Sequence, residues 1–110
     1  LLPAQCKRLS RRAALGLART GGAGFNSSGD LFLTFATGNH YTRKDSNLVQ
    51  LQMVPHNLMD PLIEATIEAV EEAVLNALTA AQTMTGYRGR TVEALPLSRT
   101  RDIVMKTRPG

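Results

Sequence analysis

A short polar segment, Asn26-Ser-Ser-Gly-Asp30, carries the side chains of this sequence that are best suited to chemistry. Ser28 and Asp30 are two residues apart, so in an extended chain they point to one side and can hold an amine or a hydroxyl between them. Such a pair orients a nucleophile and does not replace one. Composition alone favours a simpler interpretation, a turn in which these side chains bond the local backbone.

Residues 24–29 have the glycine spacing of a phosphate-binding loop, but the match is accidental. Asp30 and Leu31 stand where Lys and Ser or Thr are needed, and an Asp repels phosphate. The loop also precedes a predicted strand, whereas phosphate loops open a helix.

The histidines and the cysteine are weaker candidates. His40 and His56 are too far apart in sequence for a local metal pair. Cys6 is the only cysteine, so it forms neither an internal disulfide nor a cysteine-based zinc site, and its place on an apolar stripe favours a small core residue. We therefore expect no metal and no cofactor.

Composition is that of one soluble globular domain at most, with 110 residues, 43% hydrophobic, 20% charged and a mean hydropathy of −0.13. Apolar runs are too short to cross a membrane.

The net charge is +4, and residues 1–29 hold five cationic side chains and no acidic one. A nucleic-acid interface is nevertheless disfavoured, because no aromatic residues alternate with the arginines and no binding motif is present.

Apolar periodicity predicts the elements that must position the polar segment. Three helices are expected: from Pro3 to the stop at Gly21, from an N-cap at Asp60 to Gly86, and from a cap at Ser98 to Lys106. Two strands are expected, from Asp30 to Thr37 with both faces covered and from Val49 to Met53 with one face buried, and a short extended piece from Thr91 to Leu95. The polar stretch from Gly38 to Asn47 is expected to be a turn.

Two strands do not make an independent sheet, so their partners are expected outside this chain. The sequence also starts at Leu1 without an initiator Met. We therefore interpret residues 1–110 as part of a single larger domain.

Several motifs together are more specific than any one of them. They are Leu1-Leu-Pro-Ala-Gln-Cys6, Arg12-Ala-Ala-Leu-Gly-Leu-Ala-Arg-Thr-Gly-Gly22, Asn26-Ser-Ser-Gly-Asp-Leu-Phe-Leu33, Glu71-Glu-Ala-Val-Leu-Asn-Ala-Leu78, Met84-Thr-Gly86 and Ala94-Leu-Pro96. This combination resembles the β chain of the self-processing serine aminopeptidases, which comprise the L-aminopeptidase/D-amidase-esterases and the β-peptidyl aminopeptidases. The resemblance covers nearly the whole chain.

The resemblance implies an α+β fold, an αββα four-layer sandwich built from one precursor that cleaves itself into an α chain and a β chain. Residues 1–110 would be the C-terminal, β-chain part, without the strand that carries the nucleophilic Ser and without the α chain. Ser28 and Asp30 match the family positions that orient the nucleophile and its α-amine. The chain alone is expected to be inactive.

The resemblance also implies partners and a substrate class. The partners would be the α chain of the same precursor and further αβ units in a homo-oligomer, and the substrates short peptides, amides or esters with a free amino group. Two alternatives stay open: acyl transfer of the related ornithine acetyltransferase type, and a non-catalytic module whose basic first helix binds an acidic partner.

Overall fold

The structure is a computed structural model that describes residues 1–41 and 48–107. These residues form three α-helices and one small antiparallel sheet, a partial α+β domain. The helices are α1 (Pro3–Arg19), α2 (Met59–Ala80) and α3 (Leu97–Thr107), the strands are β1 (Met84–Thr85) and β2 (Thr91–Val92), and 3-10 turns cover His56–Leu58 and Tyr87–Gly89. The chain divides into two compact units, Leu1–Glu72 and the residues from Ala73 onward.

Helix α1 confirms the helix predicted from Pro3. Gln5 closes its first turn, because the Gln5 side chain accepts a hydrogen bond from the Leu2 N–H at 3.0 Å. At the other end the Thr20 hydroxyl donates to the Leu17 carbonyl, and Gly21 leaves the helix with φ of +98°. The apolar stripe is buried as its spacing predicts, at Cys6, Leu9, Ala13 and Gly16.

Helix α2 is confirmed as the longest element, but both of its predicted ends are wrong. It begins at Met59, which is completely buried, so Asp60 lies inside the first turn and is not the N-cap. It ends at Ala80, after about six turns, because Met84 pairs with Val92 and Gly86 bonds Arg90 in a hairpin.

Helices α1 and α2 touch backbone to backbone at Gly16. A Cβ added there would lie 2.3 Å from the Ile67 carbonyl oxygen and 2.9 Å from the Val70 Cβ. An exposed ion pair joins the same two helices, with Arg19 Nη1 and Glu71 Oε2 at 3.0 Å. Gly16 therefore weakens the helix locally but permits this close approach.

The two longer predicted strands are absent from the described residues. Residues 30–37 and 49–53 have no ladder hydrogen bonds, since residues 1–41 and 48–107 contain no strand that pairs with them. The described residues cover only one face of residues 30–37, because Leu31, Leu33 and Phe35 are 100%, 89% and 78% exposed. Between them, Phe32 and Thr34 are half-buried. This alternation is typical of an extended segment with one face covered.

Consequently the structure contains no four-layer sandwich within the described part of the chain. Polar contacts hold the extended segment instead: the Asn39 amide donates to the Gln52 carbonyl at 2.9 Å and accepts from the Gln52 N–H at 2.8 Å. The predicted turn from Gly38 to Asn47 falls largely on residues 42–47, which lie outside the described residues.

The second unit contains the hairpin and α3. Strand β2 confirms part of the extended piece predicted from Thr91, and the Thr85 and Thr91 hydroxyls bond across the hairpin at 2.8 Å. Helix α3 confirms the last predicted helix but starts at Leu97, so Ser98 lies in its first turn and is not its cap. None of the helices in the described ranges is long and apolar enough to span a membrane.

Candidate active site

The polar segment begins with a hydrogen-bonded turn at residues 25–28. The Ser28 N–H donates to the Phe25 carbonyl at 2.9 Å, and Ser27 has φ of +72°. Asn26 is outside the left-handed region, so only the third residue of the turn is left-handed, which defines a type II turn. The expected turn is thus confirmed, but the expected bonds from its side chains to the local backbone are not found among the described residues, since a backbone bond closes it.

Ser28 and Asp30 follow this turn at the start of the extended segment. Both are exposed, and neither side chain has a hydrogen-bond partner among the described residues. A Cβ added at Gly29, between them, would meet no atom within 4 Å. The space beside the pair is therefore open to a further group, and the orienting role of the two side chains stays a prediction.

Helix α1 supports the extended segment through one polar contact. The Ser10 hydroxyl lies 2.7 Å from the Thr34 hydroxyl, and it also donates to the Cys6 carbonyl at 3.2 Å. Thr34 has the same parity along the extended segment as Ser28 and Asp30. Sequence reasoning missed this contact, because a Ser on the flank of a helix does not indicate its partner in space.

A cavity of about 560 Å³ lies between the first turns of α1 and the extended segment. Apolar side chains make up most of its wall, and Lys7, Ser10 and Asn39 supply polar groups. Sequence reasoning missed it too, since both walls come from residues far apart in the chain. Its apolar lining includes Leu2, Cys6, Phe32, Phe35 and Leu51.

The other candidate residues, Cys6 and the two histidines, have no hydrogen bond to Ser28 or Asp30 among the described residues. Cys6 is buried, which confirms its interpretation as a core residue. His56 Nε2 is 3.4 Å from Arg8 Nη1, and His40 is exposed. Within residues 1–41 and 48–107 no three His, Cys, Asp or Glu side chains are grouped as metal ligands would be.

Comparison with known proteins places this architecture among peptidases. The model of peptidase family S58 matches residues 1–92, which is most of the chain. The chain belongs to peptidase family S58. This family agrees with the resemblance found in the sequence motifs.

Two relatives of this chain are both named as β-peptidyl aminopeptidases. A β-peptidyl aminopeptidase from Sphingosinicella microcystinivorans is 41% identical over 109 residues, 98% of this chain and 28% of the relative. Another, from Sphingosinicella xenopeptidilytica, is 33% identical over 106 residues, 87% of this chain and 24% of the relative. The chain therefore spans about a quarter of the length of these relatives.

Two solved structures share the fold. A crystal structure of a Pyrococcus horikoshii OT3 protein superposes with a TM-score of 0.88 at 38% identity, covering 96% of this chain and 30% of that one. A β-aminopeptidase from a Burkholderia species superposes with a TM-score of 0.85 at 44% identity, covering 99% of this chain and 33% of that one. Helices α1 to α3 and the extended segment thus correspond to about one third of each larger protein.

Proposed function

We propose that this chain is part of a serine aminopeptidase that hydrolyses amide, peptide or ester bonds of short substrates bearing a free amino group. Membership of peptidase family S58 and similarity to two β-peptidyl aminopeptidases support the class of reaction. One observation in the structure carries the site: Ser28 and Asp30 are exposed, unpartnered among the described residues, and border open space at Gly29.

The nucleophilic Ser is proposed to come from polypeptide outside this chain. No Ser or Cys side chain in the described ranges is hydrogen-bonded to a His, so the pairing that activates a hydroxyl is not found there. His56 instead faces Arg8. An N-terminal Ser needs no such partner, because its own α-amine has an unperturbed pKa near 8 and is partly neutral at physiological pH.

In this mechanism the α-amine accepts the proton of the seryl hydroxyl as the oxygen attacks the substrate carbonyl, and later returns it to the leaving amine. Asp30 accepts a hydrogen bond from the protonated amine and holds it in place. Ser28 bonds the nucleophilic hydroxyl and fixes its rotamer. The acyl-enzyme is then released by water, with the same amine as base.

The partner supplying the nucleophile is proposed to cover the exposed side of the extended segment. Leu31, Leu33 and Phe35 form a stripe of large apolar side chains that water disfavours. A strand beside residues 30–37 would also satisfy their backbone groups. We assign this strand and the α chain to the same precursor, cleaved by itself, with αβ units assembling further into a homo-oligomer.

The test is performed on the complete enzyme that carries this chain, with an amino-acyl p-nitroanilide as substrate. Ser28→Ala and Asp30→Asn are expected to lower kcat/KM at least 100-fold, because a misplaced base or nucleophile loses the proton transfer. Self-cleavage, followed by gel electrophoresis, is expected to slow with them.

Two matched substitutions control for general damage. Ser98→Ala and Asp102→Asn remove the same groups from exposed positions on α3 and are expected to leave turnover unchanged. If Ser28→Ala and Asp30→Asn also turn over and self-cleave like the unchanged enzyme, the roles assigned here are wrong.

A further inference from the structure

Ser27 holds a backbone conformation that few residues other than glycine adopt. Its φ of +72° is left-handed, and Ser27 and Arg88 are the non-glycine residues with positive φ in residues 1–41 and 48–107. For a residue with a Cβ this region costs of order 1 kcal/mol or more.

No contact of the Ser27 side chain offsets that cost among the described residues. Its side chain is exposed and has no hydrogen-bond partner among the described residues. Glycine would adopt this φ without strain, and the same loop has glycines at positions 24 and 29. A residue that keeps a left-handed conformation in a turn held by one backbone hydrogen bond, with no side-chain contact of its own, points to a use for the conformation itself.

The conformation acts on the next residues of the chain. In the type II turn, Ser28 is the fourth residue and its N–H is fixed on the Phe25 carbonyl. Changing φ of Ser27 from +72° to about −90° rotates the following chain by about 160° about the N–Cα bond, unless the peptide between Asn26 and Ser27 flips to compensate. Either change alters the polar groups presented beside Ser28 and Asp30.

We propose that Ser27 is a positioning residue, whose left-handed backbone aims Ser28 and Asp30 at the reacting groups. This inference rests on the proposed function, which assigns those two side chains their orienting role. Ser27 acts through its φ and not through its hydroxyl. The position therefore accepts glycine and rejects β-branched residues.

Two substitutions at Ser27 test this in the complete enzyme, again with an amino-acyl p-nitroanilide. Ser27→Gly keeps the left-handed conformation and is expected to keep kcat within two-fold of the unchanged enzyme. Ser27→Val favours negative φ and is expected to lower kcat at least ten-fold with KM within two-fold, because substrate binding does not depend on this turn. Wild-type kcat in Ser27→Val, or a ten-fold loss in Ser27→Gly, would overturn the inference.

A combined substitution separates positioning from general damage. If Ser27 acts through Ser28 and Asp30, then Ser27→Val has no further effect on kcat once Ser28→Ala and Asp30→Asn are both present. Equal losses in both backgrounds would overturn the inference. Arg88→Val, at the other left-handed residue described, imposes comparable strain and is expected to leave kcat unchanged; a loss equal to that of Ser27→Val would argue for general strain instead.

The outcomes also distinguish this inference from the function on which it rests. Normal turnover by both Ser28→Ala and Asp30→Asn overturns the orienting role of these two residues and this inference with it. Impaired Ser28→Ala beside normal Ser27→Val overturns the positioning role of Ser27 alone.

Discussion

Helix α1 and the extended segment at residues 30–37 belong to the same compact unit, together with the part of α2 up to Glu72. The helices and the segment differ in how many of their backbone and apolar groups find partners within the described residues. The helices make their hydrogen bonds internally and bury Cys6, Leu9 and Met59. The extended segment leaves its large apolar side chains in water and has no ladder bonds. The helices thus satisfy their backbone groups within the chain, whereas the segment that carries the candidate site has no strand partner among the described residues.

The largest expected effect comes from a substitution at the contact between α1 and α2. Gly16→Val places side-chain atoms where the Ile67 carbonyl and Val70 already lie, so we expect a loss of about 3 kcal/mol in the free energy of unfolding. Urea denaturation of the complete enzyme, followed by circular dichroism, measures it. Gly38→Val is the control, since a Cβ there meets nothing within 4 Å. Equal stability of the two variants would contradict the backbone contact.

A smaller effect is expected on the exposed side of the segment. If a strand covers Leu33 in the complete enzyme, Leu33→Ala leaves a cavity and lowers stability by about 2 kcal/mol. Leu33→Met conserves volume and is expected to lose much less. The same denaturation measurement applies. Unchanged stability of Leu33→Ala would mean that this face stays in water, which removes from the proposal the partner that covers it.

The smallest effect concerns the polar contact between the two regions. Ser10→Ala removes the hydroxyl that bonds Thr34, at an expected loss of about 1 kcal/mol. A double-mutant cycle with Thr34→Val isolates the pair, and its coupling energy is expected to be of the same order. Ser98→Ala, which removes an exposed hydroxyl without a described partner, supplies the baseline. Additive losses in the cycle would show that the contact does not tie the segment to α1.

Local signals predicted the helices well. Pro3, the spacing of Cys6, Leu9 and Ala13, and the Gly21-Gly22 stop define α1 within two residues. The end of α2 was predicted too late because the apolar pattern continues to Met84. In the structure Met84 pairs with Val92 and belongs to the hairpin instead. Such pairing depends on contacts between elements, which periodicity does not register.

The candidate site was predictable only in part, for the same reason. The types and spacing of Ser28 and Asp30, together with the family motifs, selected the polar segment. The strands predicted at residues 30–37 and 49–53 are not formed because the described residues contain no partner strand for them. The cavity and the Ser10–Thr34 contact could not be predicted because they join residues distant in sequence. The left-handed φ of Ser27 was also invisible, since Ser carries no preference that would indicate it.

The glycine crossing at position 16 divides the surface of α1 into places where chemistry can and cannot be added. A side chain added at position 16 displaces α2, whereas Lys7 and Arg11 project from exposed positions one helical turn apart. A cysteine introduced at either one could carry a fluorescent or spin label, with buried Cys6 shielded from the reagent. Such a label would report on what approaches this helix without disturbing the crossing beneath it.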